Sequence, residues 1–112
     1  MLLGPGERVL AVRHARGVAL LARAGSDVAS QACELYLTNR RLVVESPPFE
    51  VLLDDIREVG VLDDEVLLLV DRSGGVRIRT DNPRVLRVEI AAARSARRAG
   101  ALGGSAGQSP SR

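Results

Sequence analysis

His14 and Cys33 are the only histidine and the only cysteine in this chain. The one nucleophilic arrangement open to them is a thiolate–imidazole pair, which needs both groups within hydrogen-bond reach. Nothing in their spacing supports it: they fall in separate predicted elements. Cys33 shares a strand face with Leu35 and Leu37, where a thiol behaves as a small apolar side chain. His14, without a second histidine or an identifiable partner, reads as a surface residue. One cysteine cannot form an intramolecular disulfide or a thiolate zinc cluster. Asp63-Asp64-Glu65 lacks the alternating acids and central glycine of a calcium loop. Asp54-Asp55, if extended, points its carboxylates to opposite faces, which is poor geometry for a shared metal. Ser73-Gly74-Gly75 joins two strand-like runs with no lysine or helix after it, so it is a turn rather than a phosphate loop. The expectation is a chain with no active site, metal or cofactor.

The arginines are the other groups that could do chemistry. All 16 basic residues are Arg and none is Lys. A guanidinium makes forked contacts to carboxylate and phosphate. The same bias, with abundant Ala and Gly, is what GC-rich bacterial coding produces, and that reading covers every basic position. The overall charge of +2 is unevenly spread. Residues 1–32 carry four Arg against two acids, net +2; residues 33–71 carry three against ten, net −7; residues 72–112 carry nine against two, net +7. The acids concentrate in residues 54–65.

Residues 35–43 read LYLTNRRLV, two alternating apolar runs around a polar break. This predicts a hairpin, with Asn39 suited to the positive φ of a tight turn. Around it the chain is strand-like. Residues 7–13 alternate, with Val9 and Ala11 on one face and Leu10 and Val12 on the other. Residues 14–17 read as a turn and residues 18–22 as a second strand, giving a first hairpin. Residues 24–32 read as a loop. Ser46-Pro47-Pro48 ends the central hairpin. Residues 49–53, 56–61, 65–71 and 76–80 follow as strands, the last with Val76 and Ile78 inward and Arg77 and Arg79 outward. The period then changes: Asp81-Asn82-Pro83 is a helix start. Leu86, Ile90 and Ala93 share one face, with Val85 and Ala96 at its edge, and fraying is expected near Arg98. Residues 99–112 are small and polar and are expected to be a disordered tail.

The expected fold is mainly β: a small barrel or sandwich of about seven antiparallel strands closed by one C-terminal α-helix, in a single domain over residues 1–98. The opening apolar run is too short for a signal peptide, and residues 66–70 are too short to span a bilayer. These features point to a soluble, cytoplasmic protein.

Residues 35–43 resemble the signature hairpin of the GRAM family, a branch of the pleckstrin-homology-like superfold. Gly6-Glu7-Arg8-Val9-Leu10 resembles the entry strand of that family, Leu53-Asp54-Asp55-Ile56 its apolar-acidic segment, and residues 82–98 its closing helix. Two departures stand out: Cys33-Glu34 replaces a frequent glycine, and Val43-Val44 a frequent aromatic. The resemblance implies a bacterial, non-catalytic binding module with a protein or peptide partner or an anionic membrane surface, peripheral at its inner face. In phosphoinositide-binding pleckstrin-homology domains the first turn is the usual anion site, which singles out Arg13, His14 and Arg16, with Arg23 as an addition. Arg40 and Arg41 at the signature turn complete the candidate ligand set.

On the helix, Arg84, Arg87, Arg94 and Arg98 form a stripe roughly opposite Leu86 and Ile90, since successive residues turn by about 100°. That interaction surface has three readings: solvated residues pairing with the acidic segment of the same chain, docking against that segment of another copy to give a homo-oligomer, or contact with lipid headgroups or nucleic acid. Nucleic acid ranks last, because Tyr36 and Phe49 are the only aromatics and the middle of the chain is acidic.

Overall fold

Residues 13–15 and 17–21 form one strand path that bends at Arg16 and passes between two sheets. A computed structural model describes residues 2–21, 27–30, 32–45, 48–71 and 74–106. The path comprises β1 (Val9–Ala15) and β2 (Gly17–Leu21). Its antiparallel partners are β3 (Asp27–Ser30) and β4 (Cys33–Thr38). The pairing keeps one register from Arg13↔Leu35 and Ala15↔Cys33 through Val18↔Ser30 to Leu21↔Asp27. This corrects the sequence reading in two places. Residues 14–17 are a corner inside a long hairpin rather than its turn, and β3 stands where a loop was expected. The polar letters of residues 24–32 hid it, because a strand's own composition yields to its cross-strand partners.

β5 (Arg41–Glu45) and β6 (Pro48–Leu52) complete the first sheet, in the order β1-β4-β5-β6. Pro48 opens an edge strand, where its missing N–H costs no ladder bond. A 3-10 turn (Leu53–Asp55) leads to β7 (Ile56–Leu62), β8 (Glu65–Val70) and β9 (Gly75–Arg79). The second sheet runs β3-β2-β9-β8-β7. Both sheets are antiparallel, and they do not close into a barrel: β1 and β6 are the edges of the first sheet, β3 and β7 of the second.

The predicted central hairpin forms, with Leu35↔Val44 and Leu37↔Leu42 in register. Its turn is not held by a left-handed Asn39. The one non-glycine with positive φ among the described residues is Asp63, at 55°, between β7 and β8. Thr38, fully buried, holds the turn instead: its Oγ1 accepts the Arg40 and Arg41 N–H groups at 3.0 Å each.

The core lies between the sheets and the helix α1 (Pro83–Ala106). Leu35, Leu37, Leu42 and Val44 face Val66, Leu68, Val76 and Ile78, all nearly inaccessible. Leu86, Ile90 and Ala93 of α1 close the end, as their spacing predicts. Each large side chain so buried contributes about 1.5–3 kcal/mol. The helix runs past the expected end at Arg98 to Ala106. Residues 107–112 of the expected tail lie outside the described residues, as do Arg23, Ser46, Pro47 and Ser73.

Candidate functional site

Arg13, Arg16, Arg40 and Arg41, the arginines of the candidate ligand set, are engaged within the fold. Arg13 lies on the face of β1 turned toward α1 and forms a forked pair with Glu89, through Nε at 2.9 Å and through Nη2. Arg16, at the corner between the sheets, pairs with Asp64 at 2.5 Å and Asp81 at 3.2 Å. Arg40 donates to the Pro5 carbonyl. The side chain of His14 is exposed on the other face of β1, while its carbonyl accepts the Thr80 hydroxyl at 3.0 Å. The fold thus distributes Arg13, Arg16, Arg40 and Arg41 over three internal networks.

Arg41 belongs to the most buried of these. Its Nε donates to Glu7 Oε2 at 2.8 Å, its Nη1 to Glu50 at 2.7 Å, and its Nη2 to the Leu2 carbonyl at 2.6 Å. The Glu7 carboxylate also accepts the Thr38 hydroxyl at 2.7 Å and the Gly4 N–H at 2.9 Å. The Arg41 hydrogen bonds, then those from Thr38 and Gly4, hold the Glu7 carboxyl at about 2, well below the usual carboxylate range. This network ties the entry segment to the central hairpin.

On the helix the arginine stripe divides. Arg94 turns inward: its Nη2 donates to the Ile56 carbonyl at 2.7 Å and the Arg57 carbonyl at 3.2 Å, and its Nε is buried without a partner. Burial first, and then the charge of Arg98, lowers its pKa. Arg97, outside the predicted stripe, meets Asp54 at 3.4 Å. Arg84, Arg87 and Arg98 are exposed and have no ion-pair partner among the described residues. The acidic segment finds much of its pairing inside the chain: Asp54 with Arg97, Asp64 with Arg16, and Glu65 with Arg77 at 3.4 Å.

A cleft of about 830 Å³ opens between the start of β1 and the second half of α1. One wall is Leu10, Ala11 and Leu37; the other is Ala92, Ala93 and Ala96. The alanines keep the helix side shallow, and that is the local reason a cleft exists at all. Arg8 and Arg98 stand on its rim, beside Asp54 and Glu89. The two acids are matched by Arg97 and Arg13, whereas Arg8 and Arg98 have no ion-pair partner among the described residues. The unmatched charge around the cleft is therefore positive.

Apolar surface continues beyond the cleft on both sides. Leu10 of β1 is 44% exposed, and Val85 and Val88 of α1 are 43% and 62% exposed; Val12, also 44% exposed, lies with His14 on the opposite face of β1 from Ala11 and Arg13. Helical spacing aligns Val85, Val88, Ala92 and Ala96 in one stripe beside the buried one. The sequence carried part of this signal. Residues 9–12 are apolar on both faces, and Val85 and Ala96 sit at the edge of the helix stripe. Arg8, Leu10, Val88 and Ala92 were missed as site residues, because periodicity tells which residues share a face but not which face a neighbour covers.

No protein-family model matches this chain, and no curated protein matches it. Among solved structures, the crystal structure of the C-terminal domain of an unknown protein from Leishmania infantum is similar, with a TM-score of 0.61 and 12% identity over 80% of this chain and 85% of that one. At that identity the likeness concerns the fold alone. Among the described residues no helix is long and apolar enough to cross a membrane.

Proposed function

We propose that this chain is a non-catalytic binding module of the pleckstrin-homology-like type, and that a segment of a partner protein occupies the cleft between β1 and α1. The observation that carries this reading is the cleft itself: apolar walls, unmatched Arg8 and Arg98 on the rim, and exposed Leu10, Val85 and Val88 beside it. Fold order supports the GRAM or pleckstrin-homology-like assignment. β1 with β2, and β3 with β4, count as single bent strands, so the chain reads as seven strands and a closing helix. A protein segment is favoured over an anionic membrane, because Arg13, Arg16 and Arg41 already hold carboxylates of their own chain. It is favoured over self-assembly through residues 54–65, because Arg94, one of the four stripe arginines, is committed to backbone carbonyls.

A peptide-display selection tests this. Peptides enriched on the wild type are expected to lose binding to Ala96→Trp, whose indole would fill the cleft from an exposed helix position. Enrichment of peptides that bind both proteins equally, or no enrichment, would sink the reading.

A further inference from the structure

Resting on the cleft as the binding site, we infer that the partner segment binds as an added strand on the free edge of β1, extended and carrying acidic side chains for Arg8 and Arg98. Among the described residues β1 pairs with β4 alone and is an edge of its sheet. An unpaired strand edge presents N–H and C=O groups that another strand can complete. Natural edge strands are commonly guarded by charge, proline or covering elements. Here residues 9–12 carry no charged side chain and no proline, and Val9, Leu10 and Val12 stand at 37–44% exposure; the irregularity between Val9 and Ala11 is the guard this stretch does have.

The direction of the backbone groups follows from two hydrogen bonds. Arg8 points toward the β4 side, since its N–H donates to Asn39 Oδ1 at 2.9 Å and its carbonyl accepts Asn39 N–H at 3.1 Å. Past the irregularity between Val9 and Ala11, His14 points the other way, because its carbonyl accepts the Thr80 hydroxyl of the chain leaving β9. In an antiparallel ladder the N–H and C=O of one residue face the same side, and successive residues alternate. Val12 therefore presents both groups to the free edge. A strand laid there continues the first sheet toward α1. Its inward side chains reach the space lined by Leu10, Ala92 and Ala96, so they must be apolar. The guanidinium groups of Arg8 and Arg98 at the cleft mouth, unmatched within the described residues, select carboxylates on the incoming segment.

The probe is a short synthetic peptide alternating valine and glutamate, compared with a lysine counterpart and with versions N-methylated on one or the other alternate set of residues. The glutamate peptide is expected to bind and the lysine peptide not to. Methylating the set that faces β1 should weaken binding about tenfold or more, and methylating the other set should leave it within about twofold, because only the first set loses ladder bonds. Val12→Pro removes one outward donor and leaves the β4 ladder intact, so it should abolish binding with the circular dichroism spectrum unchanged. Arg8→Glu/Arg98→Glu should reverse the preference between the two peptides. The peptide methylation series uses the unaltered protein, so the test stands even if Val12→Pro fails to fold.

Failure of the glutamate peptide to bind, or equal effects of the two methylation patterns, overturns strand addition. Display-selected peptides that remain sensitive to Ala96→Trp but indifferent to Val12→Pro would overturn strand addition and leave the cleft reading standing. Loss of Ala96→Trp sensitivity would remove both.

Discussion

Replacing Glu7 with glutamine should weaken the fold strongly at neutral pH and weakly in acid. The Glu7 side chain is 3% exposed and its pKa falls from an ordinary 4.5 to about 2. Each tenfold shift in a protonation equilibrium is worth about 1.4 kcal/mol, so the native contacts of the charged form contribute about 3 kcal/mol at pH 7. The sign follows from the depressed value. A carboxyl that is more acidic when folded contributes its full stability above the unfolded pKa near 4.5 and loses it as pH falls toward 2. Glutamine keeps the shape but not the charge, and leaves Glu50 as the one carboxylate paired with Arg41 among the described residues. Urea denaturation with linear extrapolation should place Glu7→Gln about 3 kcal/mol below wild type at pH 7. The gap should shrink to about 1 kcal/mol at pH 3, where most of the wild-type advantage has titrated away. A gap below about 0.5 kcal/mol at pH 7, or one that does not change with pH, would refute the assignment of Glu7 as the buried pin of the entry segment.

Three further outcomes follow from the packing and backbone. Ile90→Ala, at a fully buried position in the core, should cost about 3 kcal/mol in urea midpoint analysis. Arg84→Glu should raise stability by about 0.5 kcal/mol, since the first turn of α1 has no acidic residue and its N-terminal end attracts negative charge; the thermal midpoint reads this out. Asp63→Gly should also stabilise, by about 0.5 kcal/mol, because Asp63 occupies a positive φ of 55° that glycine adopts without a steric penalty.

What the sequence disclosed was local. The central hairpin, the β8–β9 pairing and the buried face of α1 all rest on periodicity, and Leu35, Leu37, Ile78, Leu86 and Ile90 stand where it puts them. The long bent hairpin was not legible. Gly17 after Arg16 imitates a turn, and only the pairing of Val18 with Ser30 and of Ala15 with Cys33 reveals that the chain continues across two sheets. The partners of the arginines were equally hidden. Arg13 and Glu89 are 76 residues apart, and no spacing rule joins them. The cleft escaped for a related reason: it is defined by where α1 fails to cover β1, and a linear pattern does not record missing contacts. Leu10 and Val12 looked like the second face of a core strand, whereas they border an open edge.

The most direct test of the cleft as the binding site is amide shift mapping by NMR, with a display-selected peptide titrated into the wild type. The predicted result is that the largest shifts fall on residues 10–12 of β1 and residues 92–96 of α1. They should disappear in Ala96→Trp. Shifts centred instead on the corner around Arg16 and Arg79, or on the exposed face of α1 around Arg84 and Arg87, would contradict it.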